Sequence, residues 1–125
     1  KSSAASDVYK RQISKIMLPE TSFILYGISN QPYPFTVYPI SDELPSNFAG
    51  LYVYVSYIGN ERKLIYGGKS INIPARHNQH KKDFKIINKA THIGVHYSID
   101  FNNLEKAEAD LIEGNKFELN IQHNQ

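Results

Sequence analysis

The sequence predicts an α/β (α+β) domain: a small central β-sheet of about three strands flanked by helices, with an extra N-terminal β element. Three observations predict it. Gly50–Ile58 alternates in the period of a strand, and Gly59-Asn60 turns it back into 63–66. Apolar residues then recur at helical spacing in 73–79 and again after Asn103, with a second alternating run between them. The chain has 125 residues and is 41% hydrophobic, enough for one modest core.

The elements are expected in the following order. Residues 1–12 are small and polar without periodicity and resemble translated adapter sequence, so 1–16 is expected to be a non-native or disordered leader, with Met17 as the native start. An N-terminal β extension is expected over 17–47. Its strands are 22–28 and 34–40, with Asn30-Gln31-Pro32 as the turn. Pro34 and Pro39 mark 34–40 as an edge strand, because proline cannot donate to a ladder. The main domain, 48–125, opens on Gly50–Ile58, with Leu51, Val53 and Val55 on one face and Tyr52, Tyr54 and Ser56 on the other. A loop is expected at Gly67-Gly68-Lys69-Ser70, then helical pieces over 73–79 and 81–88 and a strand over 90–99. Asn102 or Asn103 is the expected cap of a last helix that stops at Gly114.

Composition excludes several classes. Cysteine is absent, so disulfide scaffolds, thiol nucleophiles and thiolate metal sites are all excluded. That fits a reducing cytoplasm, the expected location. No apolar run is long enough for a transmembrane helix, and no membrane partner is expected. The net charge of +2 says little, but its distribution says more. Between 61 and 90, eight basic residues (Arg62, Lys63, Lys69, Arg76, Lys81, Lys82, Lys85, Lys89) face only Glu61 and Asp83. Such a segment, with Lys81, Lys82, Lys85 and Lys89 as its contacts, suits a phosphate backbone; the alternative is an ordinary solvated helix face.

Glu108 is the local anomaly. Leu104, Ala107, Leu111 and Ile112 define the apolar stripe of the last helix, and Glu108 falls inside it. A carboxylate there needs a counter-charge, hydrogen bonds or a metal, unless it sits at the stripe edge and reaches water. Arg76 and His80 share a helix face one turn apart. Gly-Gly-Lys-Ser at 67–70 lacks the first glycine and the spacing of a nucleotide-binding P-loop. His77, His80, His92 and His96 raise a zinc site, weakened by the missing cysteines and by two of the four lying on a strand.

Together these residues resemble the GIY-YIG nuclease domain. The first signature stands as Gly50-Leu51-Tyr52 and the second as Tyr66-Gly67-Gly68; Arg76 follows Tyr66 by ten. Lys69 and His80 fall where many members carry a lysine and a histidine, Glu108 opens Glu-Ala-Asp-Leu-Ile, and Asn120 stands where a terminal asparagine is expected. The resemblance runs over about 49–122. Three positions depart from the pattern: Leu51 for isoleucine, Gly67 for an aliphatic residue, and Phe117 for a proline.

The resemblance implies hydrolysis of phosphodiester bonds in DNA, with RNA not excluded, using Mg²⁺ or Mn²⁺ held by Glu108. It implies Arg76 on the non-bridging phosphate oxygens and Tyr52 as general base or proton relay. Tyr66 and His80 would complete that network, and Lys69 would lower the tyrosine pKa. Asn120 would hold strand and helix together or orient a water. Residue chemistry leaves Tyr52 and His80 both open as the base, and Tyr52, one of nine tyrosines, also reads as an ordinary sheet aromatic. Tyr52 and Tyr66 must share a face of their hairpin, which requires an odd-numbered loop or a bulge near Gly59. Two other functions compete. One is a catalytically inactive nucleic-acid-binding module with the same fold, favoured by Gly67 and Phe117. The other is an interaction domain whose N-terminal β element pairs with another protein.

Overall fold

The computed structural model describes residues 20–45 and 47–120; the expected leader 1–16 and Met17 lie outside the described residues. Five strands form one sheet: β1 (Ser22–Tyr26), β2 (Pro32–Pro39), β3 (Gly50–Ile58), β4 (Glu61–Ser70) and β5 (His92–Tyr97). Their order is β1-β2-β5-β3-β4, and every neighbouring pair is antiparallel. The expectation of a three-stranded sheet flanked by helices is therefore corrected: the fold is a curled, half-barrel sheet, mostly strand with few helices. The error lies in the N-terminal hairpin. It is no appendage, because β2 pairs with β5 from Thr36↔Val95 to Pro39↔His92 and extends the sheet by two strands.

Pro34 and Pro39 did not place β2 at an edge. β2 is interior, yet it is shared in halves: residues 32–36 pair with β1 and 36–39 with β5, and only Thr36 belongs to both ladders. Pro32 and Pro34 meet only the β1 ladder and Pro39 only the β5 ladder, which makes an interior strand with three prolines possible. Residues 67–70 are likewise not a loop but the end of β4. Their glycines serve close approach. A Cβ at Gly68 would stand 2.5 Å from the Tyr52 hydroxyl, and one at Gly67 would stand 3.2 Å from the Phe117 ring.

The helices are α1 (Ile73–His80), α2 (Phe84–Ile87) and α3 (Leu104–Glu113), with a 3₁₀ turn at Phe101–Asn103. Asn72 caps α1 by accepting from the Ala75 N–H at 3.2 Å, and Asp83 caps α2 by accepting from the Lys85 N–H at 3.0 Å. Asn103 is the N-cap residue of α3 as expected, but its side chain makes no capping bond; its amide donates to Asp100 instead. β3 is buried on both faces. Leu51, Val53 and Val55 pack with Phe23, Phe35, Leu104, Leu111 and Phe117. Tyr52 and Tyr54 pack with Ile65, Ile73, Ile86 and Ile93. A central strand explains why both sets of the β3 alternation are apolar or aromatic. No described helix is long and apolar enough to cross a membrane.

Asp110 ties the N-terminal hairpin to α3. Its carboxylate accepts from the Ser29 N–H (2.9 Å), the Ser29 hydroxyl (2.7 Å) and the Tyr33 hydroxyl (2.7 Å), and its carbonyl accepts from the Ile28 N–H (3.0 Å). Gly114 completes this junction, because a Cβ there would lie 2.4 Å from the Ile28 nitrogen. Sequence patterning assigns Asp110 to an outer face with no role, since its partners lie 77 and 81 positions away.

Candidate active site

The β3–β4 hairpin sets the site. Its turn is the two-residue Gly59-Asn60, with Ile58 opposite Glu61, a register that alone would put Tyr52 and Tyr66 on opposite faces. A bulge corrects it. Val55 pairs with Leu64 and Tyr54 with Tyr66, so Ile65 is the extra residue, and Tyr66 shares the face of Tyr52 and Tyr54. The bulge lies farther from the turn than the expected position near Gly59.

α1 crosses this face with Arg76, His77 and His80. The Tyr52 hydroxyl lies 3.0 Å from His80 Nε2, and the Arg76 charge acts on the same hydroxyl. Arg76 Nη1 donates to Gln79 Oε1 at 3.2 Å. The Tyr66 ring lies 5.5 Å from the His80 ring and 6.4 Å from the Tyr52 ring, centroid to centroid. Burial pushes Tyr52 up to about 12, against the lowering pull of Arg76. Tyr66 is also raised, by burial first. Burial and the neighbouring Arg76 charge bring His80 down to about 4. At neutral pH the pair is therefore a phenol against a neutral imidazole.

A second tyrosine–histidine pair lies beneath the first. The buried Tyr54 hydroxyl is 2.7 Å from His77 Nδ1, and His77 Nε2 is 3.1 Å from the Ile40 carbonyl. The carbonyl can only accept, so His77 carries its proton on Nε2 and Nδ1 accepts from Tyr54. The Tyr54 ring sits edge-on to both Tyr52 (5.8 Å) and His80 (5.4 Å). Sequence reading did not assign this pair, although its spacing shows it: Tyr54 is two residues from Tyr52 on one strand face, and His77 is one helical turn before His80.

Glu108 stands on α3, which packs against the Leu51 face of the sheet, opposite the Tyr52 face. It is half-buried, its pKa is raised by burial, and Lys69 opposes it, with Nζ 3.9 Å from Oε1. The Glu108 charge also bears on Tyr52, Tyr66 and Arg76, which places it within electrostatic range of all three. The expected role of Lys69 as the group that lowers the tyrosine pKa is not supported. Lys69 stands opposite Leu51 in the β3–β4 register, on the other face from Tyr52, and Arg76 is the cation acting on the tyrosines. Asn120 clamps the end of β4, with Oδ1 accepting from the Gly67 N–H at 2.6 Å and Nδ2 donating to the Gly67 carbonyl at 3.1 Å. Gly67 faces the Phe117 ring. The Phe117 ring lies where a side chain at 67 would crowd it, so position 67 suits glycine while Phe117 is present.

The remaining candidates divide. Lys82 and Lys85 are exposed on the α1–α2 turn and on α2, and Lys81 ends α1. Lys89 is drawn aside into an ion pair with Glu118 at 2.5 Å, which Glu118 shares with Lys63 at 3.0 Å. The four histidines do not converge: His92 and His96 turn to Thr91 and to the Pro34 carbonyl. Among the described residues no three histidines, aspartates or glutamates form a cluster fit for a metal. The donor set that exists, one half-buried carboxylate, suits a cation that keeps most of its water, as Mg²⁺ does. No family model matches the chain, nor does any curated protein or solved structure.

Proposed function

We propose that this chain is a divalent-metal-dependent endonuclease of the GIY-YIG type, hydrolysing phosphodiester bonds in DNA. One observation carries the reading. Tyr52, Tyr66, Arg76 and His80, separated by up to 28 positions, meet on one sheet face, with the Glu108 carboxylate of α3 in electrostatic range. A hydrated Mg²⁺ or Mn²⁺ on Glu108 would supply the charge that polarises the phosphate and stabilises the leaving oxygen. The planar Arg76 guanidinium suits the non-bridging oxygens.

The electrostatics favour Tyr52 as a relay over Tyr52 as a phenolate. With its pKa at about 12, ionising Tyr52 at pH 7 costs about 7 kcal/mol, against about 4 for a free tyrosine. The relay avoids that state: the attacking water gives its proton to the Tyr52 oxygen as the Tyr52 proton passes to His80 Nε2. His80, with its pKa near 4, stands neutral, and taking up the proton at pH 7 costs it about 4 kcal/mol, less than the phenolate costs.

The test is cleavage of plasmid DNA by the purified protein with Mg²⁺ or Mn²⁺. Cleavage that disappears in Glu108→Ala and in Arg76→Ala, with both variants folded, supports the enzyme. Salt-sensitive binding without cleavage assigns the inactive nucleic-acid-binding module instead. Absence of both overturns the proposal.

A further inference from the structure

Phe84 is the most exposed aromatic side chain among the described residues, at 75%, and it belongs to neither packed cluster. Ile86, two positions on, is 2% exposed, so α2 sends one side chain into the core and presents the other to water. The presentation is fixed by hydrogen bonds. The Asp83 carboxylate caps α2 through the Lys85 N–H, and the Asp83 N–H donates to the His80 carbonyl at 2.9 Å. Phe84 therefore stands one residue from a position bonded to the backbone of His80, at the border of the candidate site. The Asp83 charge also bears on Tyr66 and His80, which places this turn beside them.

The chain around the ring carries two lysines and the capping carboxylate of Asp83. Lys82 and Lys85 flank it in sequence, both are exposed, and neither makes an ion pair among the described residues. An exposed phenyl ring between free ammonium groups matches an unpaired nucleotide, whose base offers a π face and whose phosphates offer charge. A paired base keeps its faces inside the duplex stack. A phenyl ring carries no hydrogen-bonding group, so stacking on it selects for an unpaired base and not for its identity.

We propose that Phe84 is a stacking platform for an unpaired base, with Lys82 and Lys85 holding the phosphates beside that nucleotide. The substrate class is then DNA with a single-stranded or locally opened segment next to the cleaved bond. This inference rests on the nucleic-acid reading above but does not depend on catalysis.

The chain has no tryptophan, so Phe84→Trp installs a single reporter. Titration with a short oligothymidylate in EDTA should quench the indole emission. Phe84→Ala should bind oligothymidylate about tenfold more weakly by fluorescence anisotropy, while its binding to a blunt duplex changes by less than about twofold. Indole emission that stays unmoved at saturating oligothymidylate overturns the platform, as does an equal loss of Phe84→Ala affinity for both DNAs. Quenching in EDTA without plasmid cleavage in Mg²⁺ sinks the nuclease reading and upholds the platform. Cleavage without quenching does the reverse.

Discussion

Replacing Asn120 tests the clamp that holds Tyr66 in place. Asn120 is buried, and both of its side-chain bonds go to the two backbone groups of Gly67, the residue after Tyr66. Asn120→Ala removes both partners and leaves a buried N–H and a buried C=O unpaired. Each orphaned group costs roughly 1–3 kcal/mol, and partial relaxation toward water lowers the sum, so the expected loss is about 2–4 kcal/mol. For a domain of this size that is a fall of roughly 10–20 °C in Tm. Asn120→Asp separates the two bonds. It retains an acceptor for the Gly67 N–H but sets a carboxylate oxygen against the Gly67 carbonyl, so its folded pKa should rise above the unfolded value of about 3.9. The sign follows: a carboxyl with a raised folded pKa destabilises once pH climbs past the unfolded value. The Asn120→Asp deficit should therefore be largest near neutral pH and shrink below about pH 4, where the protonated acid donates to the carbonyl. Urea unfolding of the three proteins between pH 3.5 and 7 reads this directly. Wild-type stability in Asn120→Ala, or an Asn120→Asp deficit independent of pH, would refute the clamp.

Two further tests read the other polar anchors. Asp110→Asn removes a charge that, with burial, raises Tyr33 to about 12; ultraviolet titration should show that phenol ionising closer to its ordinary value. Asp110 is itself held below the usual carboxylate range by Tyr33 and Ser29, so its contribution to stability is present above the unfolded pKa and fades as pH falls through the lower folded one. The wild-type advantage over Asp110→Asn should accordingly narrow in acid, and a gap that widens below pH 4 contradicts the assignment. His80, depressed to about 4, binds its proton more readily unfolded than folded, so wild-type stability should fall as pH drops from about 6.5 to about 4. His80→Asn should flatten that limb in chemical unfolding, and an unchanged slope would place the titration elsewhere.

Local patterns carried much of this protein. The alternation of Gly50–Ile58 marks β3 over the residues it occupies, because a period of two needs only neighbours to be read. Glu108 on the apolar stripe of α3 was visible for the same reason, and the structure opposes it with Lys69. Partners distant in sequence stayed hidden. Pro34 and Pro39 signalled an edge, yet β2 is interior, because one strand can divide its two ladders end to end. Gly67 and Gly68 signalled a loop, yet they end β4, because glycine also serves where an aromatic ring from elsewhere needs the space. Whether Tyr52 and Tyr66 could meet was undecidable from spacing, since one bulged residue, Ile65, reverses every side chain beyond it. Residue type and period determine what each segment can become. Only the folded chain decides which segments lie side by side, because pairing energy depends on contacts between residues that the one-dimensional order keeps apart.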